Sequence, residues 1–582
     1  MRAHLAFLAP YLRRYRRYLV FGLLAVLAHQ ALSLVTPMIL RSAVDRLREG
    51  MAMTALWTYA GSVVGLTAAS GVFLFLMRRT LIWASRKMEF DLRGDLFAHL
   101  LTLSPSYFDR TPTGDILSRA STDIEEVRMM LGPGIMYTAN TVLVSAGAIP
   151  FMFYLDWRLA LYTLLPLPIL SLAVNRVGAV VHRRFMAIQK HSAVLSAHAQ
   201  ESLAGIRVVK SGAHEPTRHR EFAAVNDRYF DLNMRLIHVQ GLFHPLLYLL
   251  AGLAVVAVLY FGGGSVVSGR ITLGTFVAFT LYLAMLIWPM IALGWVVSLY
   301  QRGTASLERI RQVLAARSDV ADGHLVSVPS APAGDIEIKN LTFTYPGADR
   351  AVLANCSLRI PAGKTLALIG ATASGKTTLL RLLTRSYPVP HGRILIGGED
   401  INRVPLARLR KLFGVVAQET FLFSATLAEN VSFGVGRALD DDRLWELARI
   451  TGIADEIAAL PQGWRTIIGE RGITLSGGQK QRVALARALA VDPPILALDD
   501  AFASVDTHTE EHILNCLAEH FAGRTVLLVS HRLSTVRRAH RIAVLDNGHI
   551  VEEGTHEELL AREGAYARLA EKQALREQLE VI

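Results

Sequence analysis

Cysteine is almost missing from this chain of 582 residues; Cys356 and Cys516 are the only two. That argues against a disulfide framework and against a cysteine-based metal site, and a reducing compartment is expected. Acidic and basic side chains are missing from the middle of two late apolar stretches, 242–262 and 273–295, which argues against a proton or ion relay there. A cleavable leader is not expected. Arg13, Arg14, Arg16 and Arg17 precede an apolar run too long for a signal core, and no small-residue cleavage site follows.

What the chain has in abundance is apolar surface. Hydrophobic residues make up 52% and the formal net charge is +12. The length exceeds one core, so at least two domains are expected. The long apolar runs all precede about Arg302, and many of the arginines flank them. That distribution points to an anionic membrane surface rather than to nucleic acid. Six spans are predicted, at about 18–40, 56–76, 134–155, 159–179, 242–262 and 273–295. Each holds about 20 residues, enough at ~1.5 Å per residue to cross ~30 Å of hydrocarbon.

Arginine and lysine set the expected orientation. The N-terminus and the connectors after the second and fourth spans are rich in both, whereas Asp156-Trp157-Arg158 is all that separates spans three and four. The N-terminus, both long connectors and the C-terminal half are therefore expected in the cytoplasm. Arg41, Arg46 and Arg48 in the first outer loop run against this, offset by Asp45 and Glu49. Both connectors keep a helical period, which predicts helices running well past the bilayer. Breaks are expected at Ser104 to Phe108, Thr111 to Gly114 and Gly212 to Pro216. Polar side chains within spans are few: His29, Gln30, Asn140 and His244. With no carboxylate mid-span in spans five and six, a large apolar or amphipathic cargo is favoured. Met285, Trp288, Met290 and Trp295 could line an adaptable pocket, although a lipid-facing or interhelix packing role is the better explanation for any one of them.

The second half is organised around Gly370-Ala371-Thr372-Ala373-Ser374-Gly375-Lys376-Thr377, a phosphate-binding loop of the form G-x-x-x-x-G-K-[ST]. An apolar strand, Thr365 to Ile369, leads in, and a helix running from Thr378 to Leu383 leads out. Small residues let successive N–H groups converge on an anion, aided by the helix dipole. Gly370, Thr372, Ser374, Gly375 and Thr378 belong to this cradle. Lys376 would reach the outer phosphates, and the Thr377 hydroxyl would ligate Mg²⁺. Upstream, Ile336, Ile338, Leu341, Phe343 and Tyr345 alternate as a strand pair with Pro346-Gly347 at its turn, and Tyr345 could stack on a base or belong to the core. Downstream, Ile495 to Asp499 is a buried strand delivering a carboxylate to its C-terminal end, the usual place for a Mg²⁺-holding Asp. Between them lies Leu475-Ser476-Gly477-Gly478-Gln479, a second anion cradle at the start of a helix from Lys480 to Leu489.

These motifs in this order resemble the ABC transporters, and nearly the whole chain resembles an exporter half-transporter. Ser476, Gly477, Gly478 and Gln479 lie in the LSGGQ signature. Segments 106–115 and 200–210 resemble the two intracellular loops. Tyr345 matches the A-loop, Gln418 the Q-loop, Gly469-Glu470-Arg471-Gly472 the X-loop, Ser504-Val505-Asp506 the D-loop and His531 the H-switch. The resemblance implies a membrane all-α domain over 1–317, a linker over 318–334, an α/β P-loop ABC ATPase domain over 335–570 and a charged tail over 571–582. It implies ATP and Mg²⁺ as cofactors, with Thr377, Gln418 and Asp499 as metal ligands and Asp500, His531 and Gln418 in catalysis. Two such domains close around two ATP molecules, so a second chain is required, and the cargo would be a small hydrophobic drug, a lipid or a peptide. An N-terminal cysteine-peptidase domain is excluded, since no Cys precedes Cys356.

Two positions depart from the family. Asp500 stands where the family has Glu, one methylene shorter, drawing the carboxylate back by ~1.5 Å; general-base geometry tolerates ~2.6–3.2 Å. Ala373 stands where exporters usually have Gly, which predicts an altered turn, because Ala resists positive φ. This pair of departures resembles the slow half of heterodimeric exporters, with LSGGQ lent to a Glu-bearing partner. The alternatives are a homodimer in which Asp500 works, or an ATP-gated channel or regulator subunit; a nucleic-acid ATPase is set aside because it lacks the membrane helices.

Overall fold

The computed structural model describes residues 2–323, 335–469, 475–521 and 523–580. Glu470, Arg471 and Gly472 of the predicted X-loop and most of the predicted linker lie outside the described residues, as does the side chain of His244. The chain divides into two compact units. One comprises Met1–Leu101 and Thr113–Ala316, the other Thr102–Pro112 and Arg317–Ile582.

The first unit is helical. Its main helices are Arg16–Arg48, Met53–Leu100, Ile135–Leu155, Pro166–Ala204, Glu215–Ala257 and Leu273–Ala315. Among the described residues, four helical stretches are long and apolar enough to cross a membrane: Arg16–Arg48, Met53–Leu100, Thr113–Leu155 and Leu273–Ala315. Pro166–Ala204 and Glu215–Ala257 cover most of the fourth and fifth predicted spans. Met53–Leu100 has 48 residues, a rod of ~72 Å against a hydrocarbon core of ~30 Å. Wide π-helical turns at Arg119–Asp123 and Met130–Gly134 interrupt the stretch Thr113–Leu155. Between them, charge holds the rods together. Arg309 donates from Nε to Asp123 over 2.9 Å, and Arg302 to Glu126 over 3.0 Å. Where the rods become apolar, packing takes over: buried Tyr282 stacks on Phe151 and donates its phenol to the Leu34 carbonyl over 2.8 Å.

Among its described residues the second unit has ten strands. β1 (Ile336–Phe343), β2 (Leu353–Ile360), β4 (Ile394–Ile396) and β5 (Glu399–Asp400) form an antiparallel sheet in the order β2-β1-β4-β5. The alternation in β1 slips by one residue between Ile338 and Leu341, where Asn340 takes a left-handed φ of 46° and bulges the strand. The larger sheet runs β10 (His549–Gly554), β9 (Arg541–Asp546), β3 (Thr365–Ile369), β8 (Thr525–Val529), β7 (Ile495–Asp499) and β6 (Phe413–Val416). All but β10 are parallel.

Strands β3, β7 and β8 are buried at every residue, as expected when both faces of a parallel sheet are covered. Ile495, Ala497, Leu527 and Val529 face one core with the helix Lys376–Leu383. Leu496, Leu498, Val526 and Leu528 face the other with the helix Gly477–Ala490. Truncating any of these leucines to Ala should cost roughly 2–5 kcal/mol. The parallel register has a further effect. Leu368, Val529 and Asp499 lie level across β3, β8 and β7, so the loops leaving these strands emerge along one edge.

Candidate functional site

That edge collects the residues singled out by sequence. β3 runs into the loop from Gly370, β6 ends two residues before Gln418, β7 ends at Asp499, and β8 ends at Val529, just before His531. Ligands of open α/β sheets bind at such carboxyl ends.

The loop's shape follows from its small residues. Gly375 has φ 110°, and a Cβ there would lie 2.8 Å from Leu353 and 3.0 Å from the Val352 carbonyl. Ala373 keeps the turn despite its side chain, at φ 65°. The positive φ that the sequence marks as costly for Ala is the one it adopts, and left-handed backbone costs an L-residue ~1–2 kcal/mol. Gly375 caps a helix whose first N–H groups have no intrahelical acceptor. Lys376 Nζ folds back onto the carbonyls of Gly370 (2.9 Å) and Ala371 (2.8 Å). Burial pulls its ammonium below the ordinary lysine range, with Asp499 and Asp500 opposing. A part-buried cation held only by neutral oxygens at the end of an N–H-lined loop is built to meet an anion.

Beside it, Asp499 accepts a hydrogen bond from Thr377, and burial lifts its carboxyl above the usual range. Two adjoining oxygen donors suit a hard cation. Among the described residues no group of three or more His, Cys, Asp and Glu could hold a metal. A divalent ion at Thr377 and Asp499 would therefore complete its shell with phosphate and water oxygens, the habit of Mg²⁺.

Asp500 follows in a left-handed conformation, φ 52°, its N–H bound to the Val529 carbonyl over 2.9 Å. Both of its carboxylate oxygens lie 2.9 Å from His531 Nδ1. The hydrogen bond that His531 donates to the Asp500 carboxylate raises the imidazole above its ordinary pKa. Gln418 is exposed. Tyr345 is half-buried, edge-on to Phe343 and Tyr387, with its phenol 3.1 Å from the Thr378 hydroxyl.

The signature turns its polar groups inward. Ser476 accepts from the Gln479 N–H while the Gln479 side chain accepts from the Ser476 N–H, a capping box for the helix Gly477–Ala490. A Cβ on Gly478 would lie 2.7 Å from the Ser504 carbonyl, so the signature is seated against the predicted D-loop. No hydrogen bond joins Ser476 to Gln479 with the Gly370–Thr378 loop among the described residues.

Sequence reasoning missed several residues here. Gln481 accepts from the Ser504 N–H over 2.9 Å, tying the signature helix to the segment after β7. Arg532 reaches the carbonyls of Val505 and Ala503. Tyr387 donates to Asp109 over 2.6 Å, which fastens the helix Pro105–Arg110 to the core of this unit. No short motif marks these contacts, because each is made across long stretches of chain.

The first unit contains a cavity of about 280 Å³. It gathers polar residues already singled out, His29, Gln30 and Asn140, with Met285 and Trp288. Arg78, read from sequence as a flanking charge, also lines it.

Comparison with known proteins agrees with both halves. The profile of the family "ABC transporter transmembrane region" matches residues 19–290, and that of "ABC transporter" matches 353–503. Over 567 residues the chain is 36% identical to the "Probable multidrug resistance ABC transporter ATP-binding/permease protein YheI" of Bacillus subtilis, covering 96% of this chain and 95% of that one. It is 36% identical to the "Multidrug resistance-like ATP-binding protein MdlA" of Escherichia coli, covering 97% and 95%. It is 34% identical to the "ATP-dependent lipid A-core flippase" of Photobacterium profundum, covering 87% and 86%. A solved structure of a bacterial Atm1-family ABC exporter with ATP bound superposes with a TM-score of 0.79 at 30% identity, covering 96% of this chain and 98% of that one. A helical membrane unit, a phosphate loop at the carboxyl edge of a parallel sheet, a signature helix and these likenesses together establish that the chain belongs to the ABC transporters, as an ATP-hydrolysing multi-pass membrane protein of the exporter type.

Proposed function

We propose that this chain is one half of an ATP-driven exporter of hydrophobic or amphipathic molecules, working by alternating access through six spans in the inner membrane. Its N-terminus and nucleotide-binding half face the cytoplasm. ATP sits on Gly370, Thr372, Ser374, Gly375, Lys376, Thr377 and Thr378, with Tyr345 against the base. Mg²⁺ is held by Thr377, Asp499 and Gln418. Ser476, Gly477, Gly478 and Gln479 complete the site of a second chain. ATP prefers the closed pair of nucleotide domains, and that difference in affinity moves the equilibrium which transport uses.

The partner is a distinct chain carrying Glu after its own strand aspartate, and this chain's own site turns over slowly. The observation that carries this reading is the engagement of Asp500 by His531 at 2.9 Å. A carboxylate one methylene short, in contact with an imidazole, is badly placed to take a proton from water, and small misplacements can cost about 10²-fold in rate. Cargo in the class of drugs, lipids or peptides is supported by the membrane cavity and by the names of the relatives.

Two experiments test the reading. Affinity purification of the chain from its native membrane should bring down a second, Glu-bearing half-transporter. In liposomes the isolated chain should hydrolyse ATP slowly, and Asp500→Glu should raise the rate at least tenfold. Brisk hydrolysis by a self-paired chain, unchanged by Asp500→Glu, would establish the homodimer instead.

A further inference from the structure

The cavity in the membrane unit has an unbalanced lining. Helices Arg16–Arg48, Met53–Leu100, Ile135–Leu155 and Leu273–Ala315 all contribute to it. Among the described residues, no Asp or Glu lines it. Four of its neutral polar residues, His29, Ser33, Gln30 and Asn140, are already held by hydrogen bonds. His29 Nδ1 is 2.7 Å from the Ser70 hydroxyl, Ser33 and Ser70 share a hydrogen bond of 2.9 Å, and Gln30 donates to Asn140. Arg78 is different. It makes no ion pair among the described residues, whereas Arg86, Arg93 and Arg128 on the same bundle all reach Glu89. Trp288, Met285, Met77 and Met136 complete the wall with large, polarisable apolar surface.

We infer that this cavity takes an amphiphile with an anionic head, a phosphate or carboxylate on an apolar tail, and that Arg78 selects its charge. The inference rests on the exporter reading above and narrows its cargo. Arg78 is itself exposed; once the tail of an amphiphile displaces water around it, its pairing with an anion gains more than in bulk water, because the interaction scales inversely with the local dielectric. A guanidinium also presents a fork of N–H donors that matches an oxyanion's geometry. The fixed hydrogen bonds of His29 with Ser70 and of Gln30 with Asn140 keep these polar groups in place beside the head. Met285 and Trp288 adapt to the tail. A cationic amphiphile of the same length meets Arg78 with no carboxylate to offset it and is rejected.

The test uses the full chain, together with its partner half if one co-purifies, in nanodiscs of phosphatidylcholine. Binding of radiolabelled dodecyl phosphate and dodecyltrimethylammonium is measured after subtracting empty nanodiscs. Dodecyl phosphate should bind at least tenfold more tightly, a difference of about 1.4 kcal/mol. Arg78→Gln should erase the preference and Arg78→Glu should invert it. Arg79→Glu, which changes a neighbour outside the cavity lining, should keep it. Competition by lysophosphatidic acid but not by butyl phosphate identifies a lipid headgroup, and competition by both identifies a soluble anion; either supports the inference. Equal binding of the two probes, or a preference that survives Arg78→Glu, overturns it and leaves Arg78 as an interfacial anchor. ATP-driven uptake is assayed on the same preparations. Loss of uptake with the charge preference intact would sink the exporter reading alone.

Discussion

His531 Nδ1 sits 2.9 Å from each carboxylate oxygen of Asp500, so the predicted switch histidine and the shortened carboxylate are bound to each other within one chain. Burial, Arg532 and Lys376 oppose the imidazole's charge, but the hydrogen bond it donates to Asp500 prevails and raises its pKa. The sign follows from linkage. The stabilisation is complete below the ordinary histidine value of about 6.5 and is lost as pH rises through the raised value. The thermal midpoint of the full chain should therefore exceed that of Asp500→Asn most at acid pH, and the gap should narrow as pH rises. A gap that is flat with pH, or that widens toward alkaline pH, contradicts the pairing.

Ala373→Gly should stabilise the nucleotide-binding half. Removing a left-handed alanine at φ 65° recovers ~1–2 kcal/mol, less ~0.5–1 kcal/mol for the greater freedom of glycine in the unfolded chain. A rise in thermal midpoint with ATP affinity kept or improved is the expected result. Gly375→Ala should do the opposite, since its φ of 110° and the 2.8 Å approach of Leu353 leave no room; nucleotide binding should be lost. An Ala373→Gly protein that melts lower would refute the strain.

Tyr387→Phe should loosen the helix Pro105–Arg110. The phenol donates to Asp109 over 2.6 Å. Burial first, and Asp109 second, push its pKa up to about 12, so it stays protonated at every physiological pH. A hydrogen bond to an ionised partner contributes roughly 1.5–3 kcal/mol. A double-mutant cycle with Asp109→Asn should show coupling above about 1 kcal/mol in thermal unfolding. Transport should fall further than ATP hydrolysis, because Asp109 lies on the stretch joining two membrane helices. Strict additivity would dismiss the link.

The two cysteines should separate cleanly. Cys356 is fully buried, and burial pushes its thiol up to about 11, so it is neither reachable nor ionised. Cys516 is partly exposed. Maleimide should add one label per native chain and two after denaturation; two labels on the native chain would place Cys356 in a different environment.

Much of the nucleotide half was legible because its signals are local. Thr365 to Ile369 and Ile495 to Asp499 read as strands from uninterrupted apolar runs, and both occur. The signature helix starts three residues earlier than read, at Gly477, because Ser476 and Gln479 build its cap. Less legible was anything made by distant pieces. Asp109 reads as part of a membrane connector, yet it falls in the second unit through Tyr387. Arg78 reads as an interfacial charge, and only the packing of four helices brings it beside His29 and Asn140. Periodicity reports which face of a helix is apolar and not which neighbour will cover it.

The left-handed turn at Asp500 bears on why the shorter acid is there at all. Asp accepts φ near 52° more readily than Glu, because its short side chain can bond locally to the backbone. Lengthening the side chain to regain reach would thus strain the peptide that hangs Asp500 on Val529. Speed at this site and ease of its backbone pull in opposite directions, and a faster Asp500→Glu enzyme should also be a less durable one.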